Sequence, residues 1–376
     1  MIITYWIIIS LIIVFAGCFV VFNYTQLLKK SKISCLFRSS LLRYLVKRIL
    51  FSALILFCVI TLVFFLIRIL PKDYFYAFAD VDIKYENYHS SNISNSNIFK
   101  QLLDFYYNIL PFPKKVCTST HLDYNGSFAC SNYDYTIINL GTSYTYIKNI
   151  RVWDIIKEKC IVSFIVGFLA YLLQCLIGYP LGIYMARKEN KAVDKSASLL
   201  HIFISIIPAI VYFYLFILLF MLVFKLPVNF EIDNALSYIA PLTALCFWGC
   251  FSVAHWVKKY IVIEMNNDYV SYARSKGLSE KYIFYKHVMR NALIPLVRTI
   301  PTNLVNCLCG FYLLEAAFAI PGIGLTLTMA INLQDVYLAQ GLIIFFSFLS
   351  ISAYLVGDLI TVLIDKRVSL AKEKNV

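Results

Sequence analysis

Apolar residues along the chain fall into seven long runs, separated by short basic segments and by one long polar region. The runs occupy 1–28, 49–67, 160–186, 196–224, 234–257, 299–314 and 336–364. A hydrocarbon layer needs about 20 residues of helix, so most of these runs predict membrane-spanning helices. The first run carries no charge, and its core at 3–22 is long enough to span. It lacks a basic start and a small-residue cleavage site, so it reads as a retained helix and not as a signal peptide. The run at 299–314 reaches span length only if its helix begins near Pro295. Pro208 and Pro241 are candidate kinks in the fourth and fifth runs.

Composition agrees with this pattern. Of the 376 residues 60% are apolar and only 15% charged, which excludes an ordinary soluble enzyme, a disordered chain and a coiled coil. The formal charge of +13 reads as basic anchoring of cytoplasmic loops, not as a nucleic-acid surface. Lys29, Lys30, Lys32, Arg38, Arg43, Lys47 and Arg48 stand between the first two runs with no acid among them. The segments 187–195, 258–298 and 365–376 are also basic, and with 29–48 they hold 23 of the 34 Lys and Arg. Their alternation predicts an N-terminus outside and a C-terminus inside.

The polar region 71–159 is balanced, nine basic against nine acidic residues, as an exported loop can be. Its Phe99, Leu102, Leu103, Tyr106 and Leu110 suggest an apolar interior and a partly folded loop. Cys117 and Cys130 lie there, separated by Asn125-Gly126, and form a candidate disulfide; two free thiols fit the same residues. Most other cysteines sit in apolar runs, as packing residues. His201 and His255 are isolated in apolar surroundings and read as packing residues too. There is no metal-ligand cluster, no nucleophile–base set and no GxxxxGK[ST], so the chain has no catalytic site and no phosphate cradle of its own.

The segment 268–295 is too polar to span and too patterned for a plain linker. It predicts a short helix over 268–276, a left-handed residue at Gly277, and a second helix of about twelve residues capped by Ser279. Ile283, Phe284, His287, Val288 and Leu293 give that second helix an uneven apolar stripe. By pattern alone, a knob for a groove on another protein and a segment lying on the membrane surface fit equally.

The residues of this segment resemble the cytoplasmic loop of ABC-transporter permeases, especially of the peptide and nickel importers. The matching positions are Tyr269-Val270, Ala273-Arg274, Lys276-Gly277-Leu278-Ser279-Glu280, His287, Arg290-Asn291-Ala292-Leu293 and Pro295. Ser271 stands where the wider superfamily often has Glu. Further likeness lies in Leu42-Arg43-Tyr44, Lys47-Arg48-Ile49, Arg68-Ile69-Leu70-Pro71, Leu140-Gly141-Thr142-Ser143, Gly178-Tyr179-Pro180-Leu181-Gly182 and Ile207-Pro208. It continues through Glu315-Ala316-Ala317-Phe318, Pro321-Gly322-Ile323-Gly324 and Asp365-Lys366-Arg367. The chain is similar in these motifs to the B-type subunit of oligopeptide and dipeptide importers.

The resemblance implies an all-α, polytopic protein of the bacterial cell membrane. It would have a six-helix permease core and one additional N-terminal helix. On this reading 1–28 is the extra helix, 29–48 a basic cytoplasmic linker and 49–70 the first core helix. Residues 71–159 form an extracytoplasmic loop or small subdomain, and 160–364 the other five core helices with a coupling segment at 258–294. Residues 365–376 are a cytoplasmic tail.

The function implied is half of the transmembrane pathway for oligopeptides, with dipeptides, nickel or another small solute as alternatives. The partners implied are a second homologous permease, two cytoplasmic ATPase subunits that use the ATP and Mg, an external substrate-binding protein and membrane lipid. Coupling to the ATPases is expected at Tyr269, Ala273, Arg274, Lys276, Gly277, Leu278, His287 and Asn291. Glu315, Phe318, Pro321, Gly322 and Gly324 form the signature near the outer pore, where Glu315 holds a hydrogen-bond network or faces the vestibule. Asp358 is expected to snorkel or to pair with Arg367. A secondary transporter, the reading from another class, would show inverted repeats, and no convincing repeat is visible.

Overall fold

The computed structural model describes residues 40–69, 98–122, 128–143, 145–147, 150–227, 229–333 and 335–364. The expected extra helix at 1–28, Arg367 and the tail lie outside the described residues. Among the described residues five helices are long and apolar enough to cross a membrane: Val46–Leu66, Val152–Arg187, Ala235–Met265, Glu280–Ala317 and Val336–Thr361. A sixth span is reached if the bent pair Ala192–Ile206 and Ala209–Phe224 counts as one. The chain is thus a polytopic, all-α membrane protein in its spanning part.

By contact density the chain divides into two compact units. Among the described residues, one comprises those of 53–157 and 327–347, the other those of 40–52, 158–326 and 348–364. Helices α1 (Ser40–Ile69), α3 (Val152–Arg187), α11 (Ile323–Asn332) and α12 (Val336–Ile364) run through both. Helix α1 begins nine residues before its apolar run, so Arg43, Lys47 and Arg48 are already helical. The run marks only the part that lipid requires to be apolar.

In the first unit, helix α2 (Ile98–Ile109) packs on α1. Phe105 meets Phe64 with ring centroids 5.3 Å apart, and Tyr106 stacks on Phe57 at 5.2 Å. Of the five residues expected to form an apolar interior, Leu102 and Tyr106 are half-buried, whereas Phe99, Leu103 and Leu110 are exposed. The chain then forms an antiparallel hairpin of β1 (Lys114–Leu122) and β2 (Phe128–Thr136). Its ladder registers Cys117 with Tyr133 and Cys130 with Thr120. The side chains of Cys117 and Cys130 lie outside the described residues. A second, two-residue pair links β3 (Thr142–Ser143) to β4 (Ile150–Arg151), just ahead of α3.

In the second unit, α4 (Ala192–Ile206) and α5 (Ala209–Leu219) meet at a bend of 107°. Ile207 and Pro208 are both extended there, because a residue preceding proline is driven out of the helical region. The kink expected at Pro208 is therefore a full break. Pro241 lies instead in the first turn of α6 (Ile239–Met265), where no intrahelical N–H is lost.

Helix α6 has a buried side rich in small residues, among them Ala240, Ala244, Gly249, Cys250 and Ala254. Helix α3 crosses it through Gly178 and Gly182. A Cβ at Gly178 would stand 2.8 Å from the carbonyl oxygen of Cys250, and one at Gly182 would stand 2.5 Å from that of Ala254. The motif Gly178-Tyr179-Pro180-Leu181-Gly182 is thus a close helix crossing of the small-xxx-small type. Gln174 adds a hydrogen bond from its Nε2 to the Leu245 carbonyl at 2.9 Å, and the Tyr212 hydroxyl donates to the Ala244 carbonyl at 2.8 Å.

Candidate functional site

Helix α6 runs on past its apolar run to Met265, then turns into α7 (Asp268–Ser275). Gly277 follows at φ +77°. Its N–H donates to the Arg274 carbonyl at 2.9 Å, and the Leu278 N–H reaches the Ala273 carbonyl at 3.4 Å. These two bonds are the Schellman ending that a left-handed glycine allows. Ser279 then caps the next helix, its side chain accepting from the Tyr282 N–H. The expected separate helix of twelve residues is not separate. Helix α8 (Glu280–Tyr282) continues through a π-helical turn at Ile283–Val288 directly into α9 (Met289–Cys309). The polar start had hidden this continuity, since charged residues lower the hydropathy without weakening the helix.

The segment has a packed base and a free tip. Val270 and Ala273 of α7 are buried with Val257 and Ile261 of α6, Ala186 of α3, and Ile283 and Val288 ahead of α9. Each buried Val or Ile contributes about 1.5–3 kcal/mol to holding this base together. Tyr269 is half-buried, its hydroxyl donating to Glu264 Oε2 at 2.7 Å. Ala273, Tyr269 and the half-buried Asn291 therefore position the segment, and His287 packs edge-on to Tyr282. The tip consists of Arg274, Lys276, Gly277 and Leu278. Arg274 forks onto Glu280 at 2.7 and 3.3 Å, and Glu280 pushes its guanidinium above the usual range. Lys276 lies 4.6 Å from the Tyr272 ring centroid. A Cβ at Gly277 would meet nothing within 4 Å. Tyr272 and Tyr282 are exposed beside the tip and were missed in the sequence, although two aromatics in a polar segment were a usable signal.

The second cluster centres on Glu315. Gly310, at φ +76°, ends α9, and Glu315 sits buried in the short helix α10 (Tyr312–Ala317). Ser163 of α3 donates its hydroxyl to Glu315 Oε1 at 2.6 Å, and the Leu325 N–H donates to Oε2 at 2.8 Å. The Ile323 N–H donates to Ser163 Oγ at 2.8 Å. Carboxylate and hydroxyl together satisfy the open N–H groups at the start of α11, where negative charge is favoured. A Cβ at Gly310 or Gly322 would strike the Glu315 carboxylate, and one at Gly324 would stand 3.0 Å from it. These glycines leave the room the carboxylate fills. Phe318 is buried and its carbonyl accepts from the Phe230 N–H, while Pro321 precedes the capped turn.

Asp335 repeats the device within the first unit, and the sequence reading had passed over it. Its Oδ1 accepts from the Leu338 N–H at the start of α12, and its Oδ2 from the Ser143 hydroxyl at 2.6 Å. An acid just before an apolar run is the usual N-cap signal. Asp358 is held by Arg298 and Arg48, each at 2.9 Å; the expected partner Arg367 lies outside the described residues. His201 and His255 are not isolated but stack at 4.9 Å.

Comparison with known proteins gives these clusters a common setting. Residues 178–370 match the family described as "Binding-protein-dependent transport system inner membrane component". The oligopeptide transport system permease protein AmiC of Streptococcus pneumoniae is 33% identical over 56% of this chain and 43% of its own length, so the chain spans less than half of that relative. The dipeptide transport system permease protein DppB of Lactococcus lactis is 28% identical over 88% of this chain and 100% of its own. The nickel import system permease protein NikB of Staphylococcus aureus is 25% identical over 63% of this chain and 71% of its own. The tip of the segment around Gly277 and the carboxylate and glycines of the Glu315 cradle fall inside the family match, whereas Ser163 lies ahead of it.

Proposed function

Since this chain belongs to the binding-protein-dependent transport system inner membrane components, we propose that it is one permease subunit of an ATP-driven importer for a small solute. The cargo class is the one its relatives share, a peptide or nickel; an oligopeptide is the specific cargo to test first. The chain supplies half of the pathway, a second homologous permease supplies the other half, and two cytoplasmic ATPase subunits hydrolyse ATP. An external binding protein delivers the solute. The ATP and Mg belong to those ATPase subunits.

The observation that carries this reading is the shape of the 268–291 segment. Its base is continuous with the packing of α3, α6 and α9, and a side chain added at Gly277 would point into open space, with nothing within 4 Å of its Cβ. A partner that moves the tip moves three spanning helices with it. A segment that merely coats the membrane would present its apolar residues to lipid, whereas Val270, Ala273, Ile283 and Val288 are spent inside.

Reconstitution with the cognate ATPases tests it, with ATP hydrolysis and uptake measured together. In Gly277→Val the positive φ costs about 1–2 kcal/mol locally, and the added side chain occupies the face offered to the ATPase. Membrane insertion should be normal while solute-stimulated hydrolysis falls about tenfold, equivalent to ~1.4 kcal/mol of lost coupling. Unchanged coupling in a well-inserted variant defeats the proposed role of the tip. Uptake of labelled oligopeptide, dipeptide and Ni²⁺ by the wild-type complex assigns the cargo.

A further inference from the structure

Helix α2 carries more apolar surface than its neighbour uses. On a helical projection Leu102, Phe105, Tyr106 and Ile109 lie on one side, and all are half-buried. Phe105 and Tyr106 provide the ring contacts to α1. Next to them, in one row spaced by three and four residues, stand Phe99, Leu103, Tyr107 and Leu110, exposed by 73%, 69%, 58% and 45%. The polar residues Lys100, Gln101, Asp104 and Asn108 fill the remaining arc. A helix with a broad apolar arc and a narrow polar one sits at a boundary between hydrocarbon and water.

The depth of the helix identifies what covers the exposed row. Tyr106 hydroxyl lies 2.7 Å from Thr61 Oγ1 and donates to the Phe57 carbonyl at 3.1 Å. Both partners belong to the Val46–Leu66 span. At 1.5 Å per residue, Thr61 lies about 7 Å and Phe57 about 14 Å from the Leu66 end, within a hydrocarbon layer of about 30 Å. Helix α2 therefore lies beside the carboxyl-terminal half of that span and not above it. The α1 residues Leu62 and Leu66 on the same stretch are exposed as well. Exposed apolar residues thus stand on both helices at this depth. The carboxyl end of α2 is closed by Lys114, whose Nζ donates to the Leu110 carbonyl at 2.8 Å and lies 5.0 Å from the Tyr107 ring centroid.

We propose that α2 is an interfacial membrane helix, its Phe99–Leu103–Tyr107–Leu110 row embedded among the acyl chains of the leaflet at the carboxyl end of α1. It would tie the hairpin that follows to the bilayer. The inference stands on the spanning assignment of α1 and is independent of the cargo.

Photo-crosslinking in the full-length protein, in native-composition vesicles, tests it. Benzoylphenylalanine replaces Leu103 in one variant and Tyr107 in a second; replacement of Asp104, on the polar arc, is the reference. Mass spectrometry of the irradiated protein should find lipid adducts at 103 and 107 several-fold above those at 104. Adducts chiefly to another protein, or to another segment of this chain, would show that the row is a protein interface and overturn the proposal. Lipid adducts no more frequent at 103 and 107 than at 104 would place the helix in water and overturn it as well. The two replaced side chains are exposed, and agreement between them separates a positional result from a folding defect.

Discussion

At Glu315 the carboxylate accepts from the Ser163 hydroxyl on one oxygen and from the Leu325 N–H on the other. An amide of the same shape has only one accepting atom. Glu315→Gln must therefore turn an NH₂ toward one of those two donors. The expected loss is about 1–3 kcal/mol, the cost of a buried donor left without an acceptor. It is read as a lower midpoint of thermal unfolding in detergent. Gly322→Ala should act on the same cradle from the opposite side, because its methyl group would stand 2.5 Å from Ser163 Oγ. An unchanged midpoint in both variants would show that the cradle does not hold this part of the chain. The sequence marked Glu315 and the glycines by family likeness, but it held no sign of Ser163. That serine lies 152 residues upstream in an unremarkable apolar helix, and a one-residue contribution leaves no period to read.

Among the elements, α1, α9 and α12 are joined by one acid and two arginines. Asp358 has a side-chain exposure of 9%, whereas Arg48 and Arg298 are at 47% and 53%. Either arginine can return to water, but the acid cannot. Arg48→Ala or Arg298→Ala alone should then cost no more than about 1 kcal/mol. The double variant removes both described cations from the buried carboxylate, and its loss should approach about 3–5 kcal/mol. Unfolding midpoints for the four proteins of this cycle measure the coupling directly; simple additivity would mean that the acid finds another partner. Hydropathy located most of the spans, because lipid imposes its demand on every residue of a run. It misjudged their ends for the same reason: the starts of α1 and α8 are helical but polar, and no apolar pattern extends over them. The π-helical turn at Ile283–Val288 and the break at Gly310 are set by packing, which no single-residue scale records.

For the whole molecule, the ion pair of Arg48 with Asp358 brings the start of α1 and the end of α12 to one level. Basic residues cluster at 29–48 and in the tail, and the two should share the cytoplasm. A fluorescent protein fused after residue 376 should fluoresce, and alkaline phosphatase fused after residue 138 should be active; the opposite pair of results would invert the topology. The Glu315 cradle has one more consequence, for how the chain is made. Its hydroxyl leaves the ribosome with α3 and its last N–H donor, Leu325, some 160 residues later. At roughly 5–20 residues per second, α3 waits of the order of ten to thirty seconds in the translocon or the bilayer before Ser163 meets its acid. During that interval an insertion factor or a membrane protease can inspect the growing chain. A message truncated between codons 315 and 325 yields a product whose carboxylate never receives the Leu325 amide.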